Sequence, residues 1–350
     1  MKGDGKMAMK RVTMQDIADA CGLSRNTVSK IFNDRGAVPE STRQTVLRKA
    51  QELGYHQIPE DEFVRAEPRN QNIALLTNRM PADYHFGTFF VPAFAGQLSR
   101  AGYTLMMYEI SPDELRSKSL PAHRSLEQTD GIMVIELFDR EYLDMLCDLG
   151  IPTISIDAYY RANTSPMRCD IISMENTAST FALTNHVISA GARRLGFVGD
   201  VEHCNSFYER WSGFCLALCG AGIPVERELC ILDSDDAPYG DPEWMLSKLR
   251  EMPVMPDAFV CANDYLALCT MTTLKRHGVS IPDEVMVAGF DGSPQSAIVE
   301  PALTTAWIPS NDIGRLAADM LLARIESPDR PFQSTYVKTT PLWRDSTARK

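Results

Sequence analysis

Between Arg25 and Lys30 the chain reads Arg-Asn-Thr-Val-Ser-Lys, residue types suited to one kind of chemistry. A guanidinium can donate two parallel hydrogen bonds to guanine O6 and N7, and an Asn amide can pair with adenine N6 and N7. Arg25 and Asn26, with Lys30 one turn further along, are therefore candidate readers of base edges. Thr13, Ser24, Thr27, Ser29 and Asn33 are short polar side chains suited to phosphate oxygens, which fix register without reading sequence. A second group follows apolar runs far along the chain: Asp157 after Ile154-Ser-Ile156, Asn263 and Asp264 after Phe259-Val-Cys-Ala262, and Asp291 after Gly289-Phe290. Arg210 stands just before Trp211-Ser-Gly-Phe214. Any one of these serves as readily as a helix cap or loop carboxylate, but several converging on one cleft would bind a polar small molecule.

The first group needs helices. Thr13-Met-Gln-Asp16 fits a capping box, Ile17, Ala18 and Cys21 share a helical face, and Gly22 breaks the helix. Ser24 can cap a second helix running from Arg25 to Phe32. A third begins near Pro39-Glu40-Ser41, turns Val46, Leu47, Ala50 and Leu53 inward, and stops at Gly54-Tyr55. Helix, Gly-containing turn, helix and supporting helix make a helix-turn-helix. The competing reading is a three-helix module that binds protein, with Ser24 and Thr27 as ordinary caps. Charge weighs against it. Net charge is −11 overall, yet residues 1–57 carry ten Lys or Arg against six Asp or Glu, while the remainder carries 25 against 40. A small basic head on an acidic body is expected where one module alone touches phosphate.

The second group needs a sheet. From Asn72 onward short apolar runs alternate with amphipathic stretches: Ile73–Thr77, Tyr103–Met107, Gly131–Ile135, Pro152–Ile156, Leu195–Val198, Ala258–Cys261 and Val285–Phe290. Continuous apolar strands separated by helices imply parallel sheets covered on both faces. Such sheets bind ligands beyond the carboxyl ends of their strands, where the polar residues above lie.

Several classes are disfavoured. No apolar run is long enough to span a bilayer, and the polar start Met1-Lys-Gly-Asp-Gly-Lys6 lacks the apolar segment of a secretory signal, so a cytoplasmic location is expected. Nine scattered cysteines without a C-x-x-C pair read as reduced packing residues rather than disulfides or a zinc ribbon. There is no G-x-S-x-G, P-loop, H-E-x-x-H or dinucleotide fingerprint, and the six histidines show no metal spacing. The chain thus reads as a non-enzyme without cofactor or metal.

The stretch Val12-Thr-Met-Gln-Asp-Ile-Ala-Asp-Ala-Cys-Gly-Leu-Ser-Arg-Asn-Thr-Val-Ser-Lys-Ile-Phe-Asn33, continued by Val38-Pro-Glu-Ser-Thr-Arg43 and Leu53-Gly-Tyr55, resembles the opening of the LacI/GalR family. Further landmarks carry the resemblance to the end: Thr88–Gly96, Thr129-Asp-Gly-Ile132, Gly150-Ile-Pro152, Glu209–Phe214, Ala262-Asn-Asp264, Gly289-Phe-Asp291, Leu303-Thr-Thr305 and Arg344-Asp-Ser-Thr347. It implies an all-α helix-turn-helix head over 10–57, a hinge or linker over 58–71, and an α/β effector-binding core over 72–350. That core would resemble a periplasmic binding protein: two lobes of parallel sheet, three crossovers and an effector between them. The expected N-lobe spans about 72–169 and 308–336, the C-lobe about 170–307 and 337–350.

The resemblance also implies a transcription regulator, a repressor by expectation, that binds a pseudo-palindromic double-stranded DNA operator as a homodimer. The tail after Arg344 is too short for a tetramerising helix. By position, Asp157, Arg210, Asn263 and Asp291 match residues that bind effector hydroxyls in sugar-responsive members, and Phe89 and Phe90 fall on the pocket's other wall or equally in the core. Ser310 stands where some members place an aromatic or polar pocket residue. A carbohydrate effector is the expectation, although members also use nucleobases or a protein partner. The match weakens at the hinge, where members carry an Asn-x-x-Ala-x-x-Leu helix whose Leu wedges into the minor groove. Here Phe63 or Val64 falls at the wedge, beside Glu60, Asp61 and Glu62, with Pro59 and Pro68 limiting any helix. Either the wedge still inserts or the segment is a plain linker, the preferred reading. The rivals to the whole are a periplasmic-type solute-binding protein, an effector-independent or protein-co-regulated repressor, and an enzyme on the same scaffold.

Overall fold

Thr13 begins the first helix, α1 (Met14–Cys21), through a capping box: Thr13 Oγ1 accepts from the Asp16 amide (3.4 Å), and Asp16 Oδ2 accepts from the Thr13 amide (2.8 Å). Gly22 ends it with φ +66°, a left-handed backbone that costs glycine little. Ser24 Oγ then accepts from the Thr27 amide (3.1 Å) and opens α2 (Arg25–Asn33), and α3 (Glu40–Glu52) follows. Ile17, Ala18, Val28, Ile31, Val46, Leu47 and Ala50 close a common core, with Phe32 stacked on Tyr55 at 5.8 Å. Arg43 of α3 donates to the Ile31 carbonyl (2.5 Å), tying α3 to the last turn of α2.

This computed structural model describes residues 12–33, 40–55, 70–80, 87–121, 126–162 and 167–349. The chain divides into two units, Met1–Asn70 and Gln71–Lys350. Phe63, Val64 and most of the 58–71 segment lie outside the described residues, as does the Asn33 side chain.

The second unit opens with β1 (Asn72–Thr77), α4 (Gly87–Arg100), β2 (Thr104–Glu109), α5 (Pro112–Ser117), β3 (Gly131–Val134), α6 (Arg140–Asp148), β4 (Thr153–Ile156) and β5 (Asp170–Met174). It continues through α7 (Thr177–Ser189), β6 (Leu195–Val198), α8 (Asn205–Gly220), α9 (Pro242–Glu251), β7 (Ala258–Cys261), α10 (Asp264–Arg276), β8 (Met286–Ala288) and α11 (Pro294–Ile298). The last elements are β9 (Thr305–Trp307), α12 (Ser310–Glu326), β10 (Ser334–Val337) and β11 (Thr340–Leu342).

The N-lobe is a parallel six-stranded sheet in the order β10-β5-β4-β3-β1-β2, and the C-lobe is built on parallel β6-β7-β8 with an antiparallel β9–β11 pair. Apolar β1, β3 and β4 are buried along almost their whole length, as central strands must be. The chain passes between lobes three times, after β5, after β9 and after β10, because α7 packs on α8 while α12 packs on α4. Gly213 permits the first pairing: a Cβ there would stand 2.4 Å from the Thr177 carbonyl oxygen.

The lobe boundary differs from the expected one. Asp170–Met174 is a strand of the N-lobe sheet, paired with β4 and β10, so the first crossover follows Met174 rather than residue 169. An ion pair explains the placement. Buried Asp170 receives Arg324 Nε and Nη2 from α12 (2.9 and 2.8 Å), and Arg324 Nη1 and Nη2 also donate to the Pro328 and Pro331 carbonyls (2.9 Å each). Among the described residues no helix is long and apolar enough to cross a membrane.

Candidate functional site

In the head, Arg25, Asn26 and Lys30 are exposed, while Val28 and Ile31 of the same helix are buried. At 100° per residue, Asn26 and Lys30 fall on one side of α2 and the core residues on the other. The short polar residues are more committed. The Thr13 hydroxyl donates to Asp16 Oδ2 (2.7 Å), and the Ser24 and Thr27 hydroxyls pair at 2.8 Å. Their first task is to hold the helix starts that aim Arg25 and Asn26.

In the second unit the strand ends of both lobes surround a cavity of about 450 Å³ lined by Asp157, Arg210, Asn263 and Asp291. Sequence reasoning had these four at strand ends or nearby, and the fold brings them together. Arg210, however, lies within α8, in its second turn, not before it. Asp264 turns away from the cavity: it accepts from Thr305 Oγ1 (2.6 Å) and the Ser293 amide (2.7 Å), binding the β8 and β9 connections, and burial pushes its carboxyl up to about 6.

Three of the cavity's carboxylates, Glu136, Asp157 and Asp291, follow strands in left-handed backbone (φ +53°, +62° and +113°). Such conformations are uncommon outside glycine and concentrate where surrounding structure imposes them for function. Asp157 is 6% exposed; its Oδ2 accepts from the Ser206 amide at the start of α8 (3.3 Å), whereas Oδ1 has no hydrogen-bond partner among the described residues. Burial, reinforced by the neighbouring Asp157 charge, raises the Cys204 thiol well above its ordinary value.

Arg210 is held from several sides. Its Nε donates to Asn176 Oδ1 (2.9 Å), Nη1 donates to the Ala262 carbonyl (2.6 Å) and lies 3.5 Å from Asp291 Oδ1, and the guanidinium sits 3.8 Å from the Phe290 ring centroid. Asp291 keeps 16% of its side chain exposed. Burial pushes its carboxyl up to about 8; Arg210 opposes this, and the charges of Asp264 and Glu136 add to it.

Phe90 does not line this cavity: it is fully buried and stacked on Phe94 inside α4, so its ring belongs to the N-lobe core. Phe89, 45% exposed, lies on a separate cavity of about 430 Å³ with Ser310. The aromatic wall of the first cavity comes instead from Phe138, His203, Phe207, Tyr239 and Tyr265. The His203 ring meets Phe138 edge-on at 5.1 Å and Phe207 at 5.2 Å. Sequence reasoning passed over these, and over Glu136, Asp235, Asp236 and Arg79, which also line it. Glu136 follows β3 as Asp157 follows β4, so the strand-end rule could have found it. The loop residues Asp235 and Asp236 gave no such signal.

With this geometry in hand, residues 13–57 match "Bacterial regulatory proteins, lacI family" and residues 184–347 match "Periplasmic binding protein-like domain". The chain carries a lacI-family regulatory domain at its head and a periplasmic binding protein-like domain in its core. The resemblance first carried by Val12–Asn33 therefore holds, and this regulator has the family's DNA-binding head and ligand-binding core. It is 24% identical to the HTH-type transcriptional repressor PurR of Haemophilus influenzae, over 92% of this chain and 93% of that protein. It is 27% identical to the arabinose metabolism transcriptional repressor of Geobacillus stearothermophilus, over 93% and 88%. A solved complex of the transcriptional regulator CelR with cellobiose superposes with TM-score 0.70 at 25% identity, covering 96% of this chain and all of that one. The lac repressor dimer bound to operator and an anti-inducer gives TM-score 0.68 at 22% identity, over 97% and 99%, a likeness of fold.

Among the described residues no group of three or more His, Cys, Asp or Glu could hold a metal ion. The cavity's chemistry is that of hydrogen bonding to a polar ligand.

Proposed function

We propose that this regulator is a cytoplasmic repressor that binds a pseudo-palindromic operator as a homodimer and releases or tightens its grip when a neutral, hydroxyl-rich carbohydrate occupies the cavity between its lobes. Arg25, Asn26 and Lys30 read base edges. Thr13, Ser24, Thr27, Ser29 and Asn33 lie along the phosphate backbone, Thr13 and Ser24 through the capped helix starts more than through free hydroxyls.

The observation that carries the effector reading is the Asp157 carboxylate, nearly wholly buried on the cavity wall with one oxygen lacking a partner. A buried carboxylate oxygen costs free energy unless a donor meets it. Rotation of the Asp157 carboxylate towards a ligand hydroxyl supplies that donor, and Asn263, Arg210 and Asp291, on the same cavity wall, supply partners for its neighbours. Charge narrows the class further. Among the described lining residues Glu136, Asp157, Asp235 and Asp236 outnumber the fixed cations Arg79 and Arg210, which disfavours phosphorylated or uronic sugars. The relatives named for arabinose metabolism and solved with cellobiose support a carbohydrate.

The effector acts through differential affinity for two lobe arrangements, a coupling of about 1–3 kcal/mol, or roughly 5–150-fold in operator affinity. The test is an operator selected in vitro from random DNA, followed by titration of the complex with neutral sugars, sugar phosphates, uronates and purines. A two-fold-related site whose occupancy changes at least fivefold with a neutral sugar supports the proposal. Failure to select any sequence defeats the DNA reading, and a response to purines or sugar phosphates alone defeats the carbohydrate reading.

A further inference from the structure

Two of the nine cysteines meet. Cys147 stands in the last turn of α6 and Cys169 immediately before β5, too far apart in sequence for any local spacing to announce them. Both belong to the apolar cluster on one face of the N-lobe sheet, with Leu143, Leu146 and Ile171. Their thiols hydrogen-bond to each other. An ion pair holds the neighbouring residues across the same gap: Arg168 Nη1 lies 2.6 Å from Asp148 Oδ1, and Arg168 Nη2 donates to the Asp144 carbonyl (3.5 Å). Other thiols find different partners. Cys230 donates to the Glu226 carbonyl (3.5 Å), and Cys261 meets the Thr270 hydroxyl (3.9 Å).

The two thiols of the pair are unequal. Cys169 is 2% exposed, whereas Cys147 keeps part of its surface within reach of solvent. The hydrogen bond from Cys169 lowers the Cys147 thiol against the effect of burial, and the Arg168 guanidinium adds to the lowering. The same bond, together with burial, raises Cys169 well above its ordinary value. The thiolate is the nucleophile in thiol oxidation, so the reachable sulfur is the activated one and the buried sulfur keeps its proton in reserve.

We propose that Cys147 and Cys169 form a redox switch that hydrogen peroxide closes into a disulfide, fastening the end of α6 to the start of β5 within the N-lobe. The Cys147 thiolate attacks a peroxide oxygen, the O–O bond breaks, and the leaving hydroxide takes up a proton as water. Cys147 is then a sulfenic acid. Cys169 gives its proton to the departing hydroxyl as its sulfur attacks Cys147 Sγ; the S–O bond breaks, a second water leaves and the S–S bond forms. Each sulfur loses one electron, and the peroxide takes both. A disulfide needs the sulfurs at about 2.05 Å, an approach that side-chain rotation completes for thiols already in contact. The closed loop carries β4 and Asp157, so the bond constrains the strand end that lines the acidic cavity. It also restricts the unfolded chain, and the linked form should melt higher.

The test uses the full chain, reduced, freed of reductant and treated with equimolar hydrogen peroxide. The expected result is loss of the mass of two hydrogens, a peptide linking Cys147 to Cys169 in a non-reducing digest, and a melting temperature a few degrees higher, all reversed by dithiothreitol. In Cys169→Ser, where serine still donates the hydrogen bond, oxidation should stop at a sulfenic acid on Cys147 that dimedone traps. That adduct should form at least tenfold faster than one on exposed Cys219 of the same chain. Cys147→Ser should give neither link nor adduct. A native chain that keeps both thiols, or links other cysteines as readily, would overturn the proposal, and this result needs no variant to fold. Cys147 oxidising no faster than Cys219 would overturn its activation, and an unchanged melting temperature in the linked form would overturn the fastening of α6 to β5.

Discussion

Asp291→Asn isolates the electrostatic tension at the centre of the core. The native carboxyl titrates at about 8 because burial, together with Asp264 and Glu136, outweighs the attraction of Arg210. In the unfolded chain the same group titrates at its ordinary 3.8. A folded value raised above the unfolded one contributes stability that is fully present below about pH 3.8 and is lost as pH rises towards about 8, because over that window the native protein holds a proton the unfolded chain has released. Asparagine has the shape of the protonated acid and no proton to lose. The stability of the variant minus that of the native protein should therefore widen by up to about 1.4 kcal/mol per pH unit between pH 5 and 7.5, then flatten above pH 8. Integrated over the window this reaches about 4–6 kcal/mol as an upper bound, since Asp264 shares the same field and relaxes when its neighbour loses charge. Urea unfolding of both proteins at half-unit steps from pH 5.5 to 8.5, followed by far-ultraviolet circular dichroism, measures the curve. Parallel pH profiles for the two proteins would refute the reasoning and show that Asp291 is ionised throughout.

The other expectations are simpler. Arg25→Ala should relax base preference at one position in each half-site at a cost of roughly 1–3 kcal/mol, read by repeating the operator selection; unchanged selectivity would remove Arg25 as a base reader. Asp170→Asn leaves the buried Arg324 guanidinium without its counter-charge and should cost about 3–5 kcal/mol in thermal or urea unfolding, whereas a loss below 1 kcal/mol would mean the loop carbonyls alone satisfy it. Gly213→Ala drives a methyl into the Thr177 carbonyl and should destabilise the C-lobe by about 1–3 kcal/mol, with a crystal structure of the variant showing α8 displaced from α7; an unshifted helix and unchanged stability would mean the contact is not tight.

What the sequence disclosed and what it withheld follow a physical line. The head was legible nearly residue by residue because its signals are local: Thr13 with Asp16, Gly22, and Ser24 with Thr27 act within a turn of each other. Central strands such as β1 were legible because each contains a continuous apolar run, Ile73–Leu76 in β1. The strand β5 was missed because its Asp170 reads as a loop residue until Arg324, 154 positions away, is known to cover it. Edge strand β10, Ser-Thr-Tyr-Val, has too little apolar content to announce itself. In the site, Asp157, Asn263 and Asp291 obeyed the strand-end rule. Phe207 and Tyr265 reach the cavity from α8 and α10, and periodicity alone cannot separate a helical aromatic facing a cleft from one facing a core. Phe90 shows the same ambiguity resolved the other way.

The arrangement around α8 explains how a ligand in the cavity can move the lobes. Three N-lobe or crossover groups grip this C-lobe helix within six residues of its start. Asp157 accepts from the Ser206 amide (3.3 Å), Asn176 donates to Ser206 Oγ and Glu209 Oε2 (3.1 and 2.8 Å), and Tyr336 of β10 donates to Glu209 Oε1 (2.7 Å). Burial raises the Glu209 carboxyl while the donors Asn176, Tyr336 and Asn205 work to keep it charged, so each of those bonds is worth more than a surface contact. Arg210, the next residue, is bound to Asn176 on one side and faces the cavity and Asp291 on the other. A ligand that engages Arg210 and Asp157 therefore acts on the groups that also set the grip between the lobes. Its binding energy differs between lobe arrangements because its own contacts and the interlobe contacts share the same atoms, and that shared use is what effector control of DNA affinity requires.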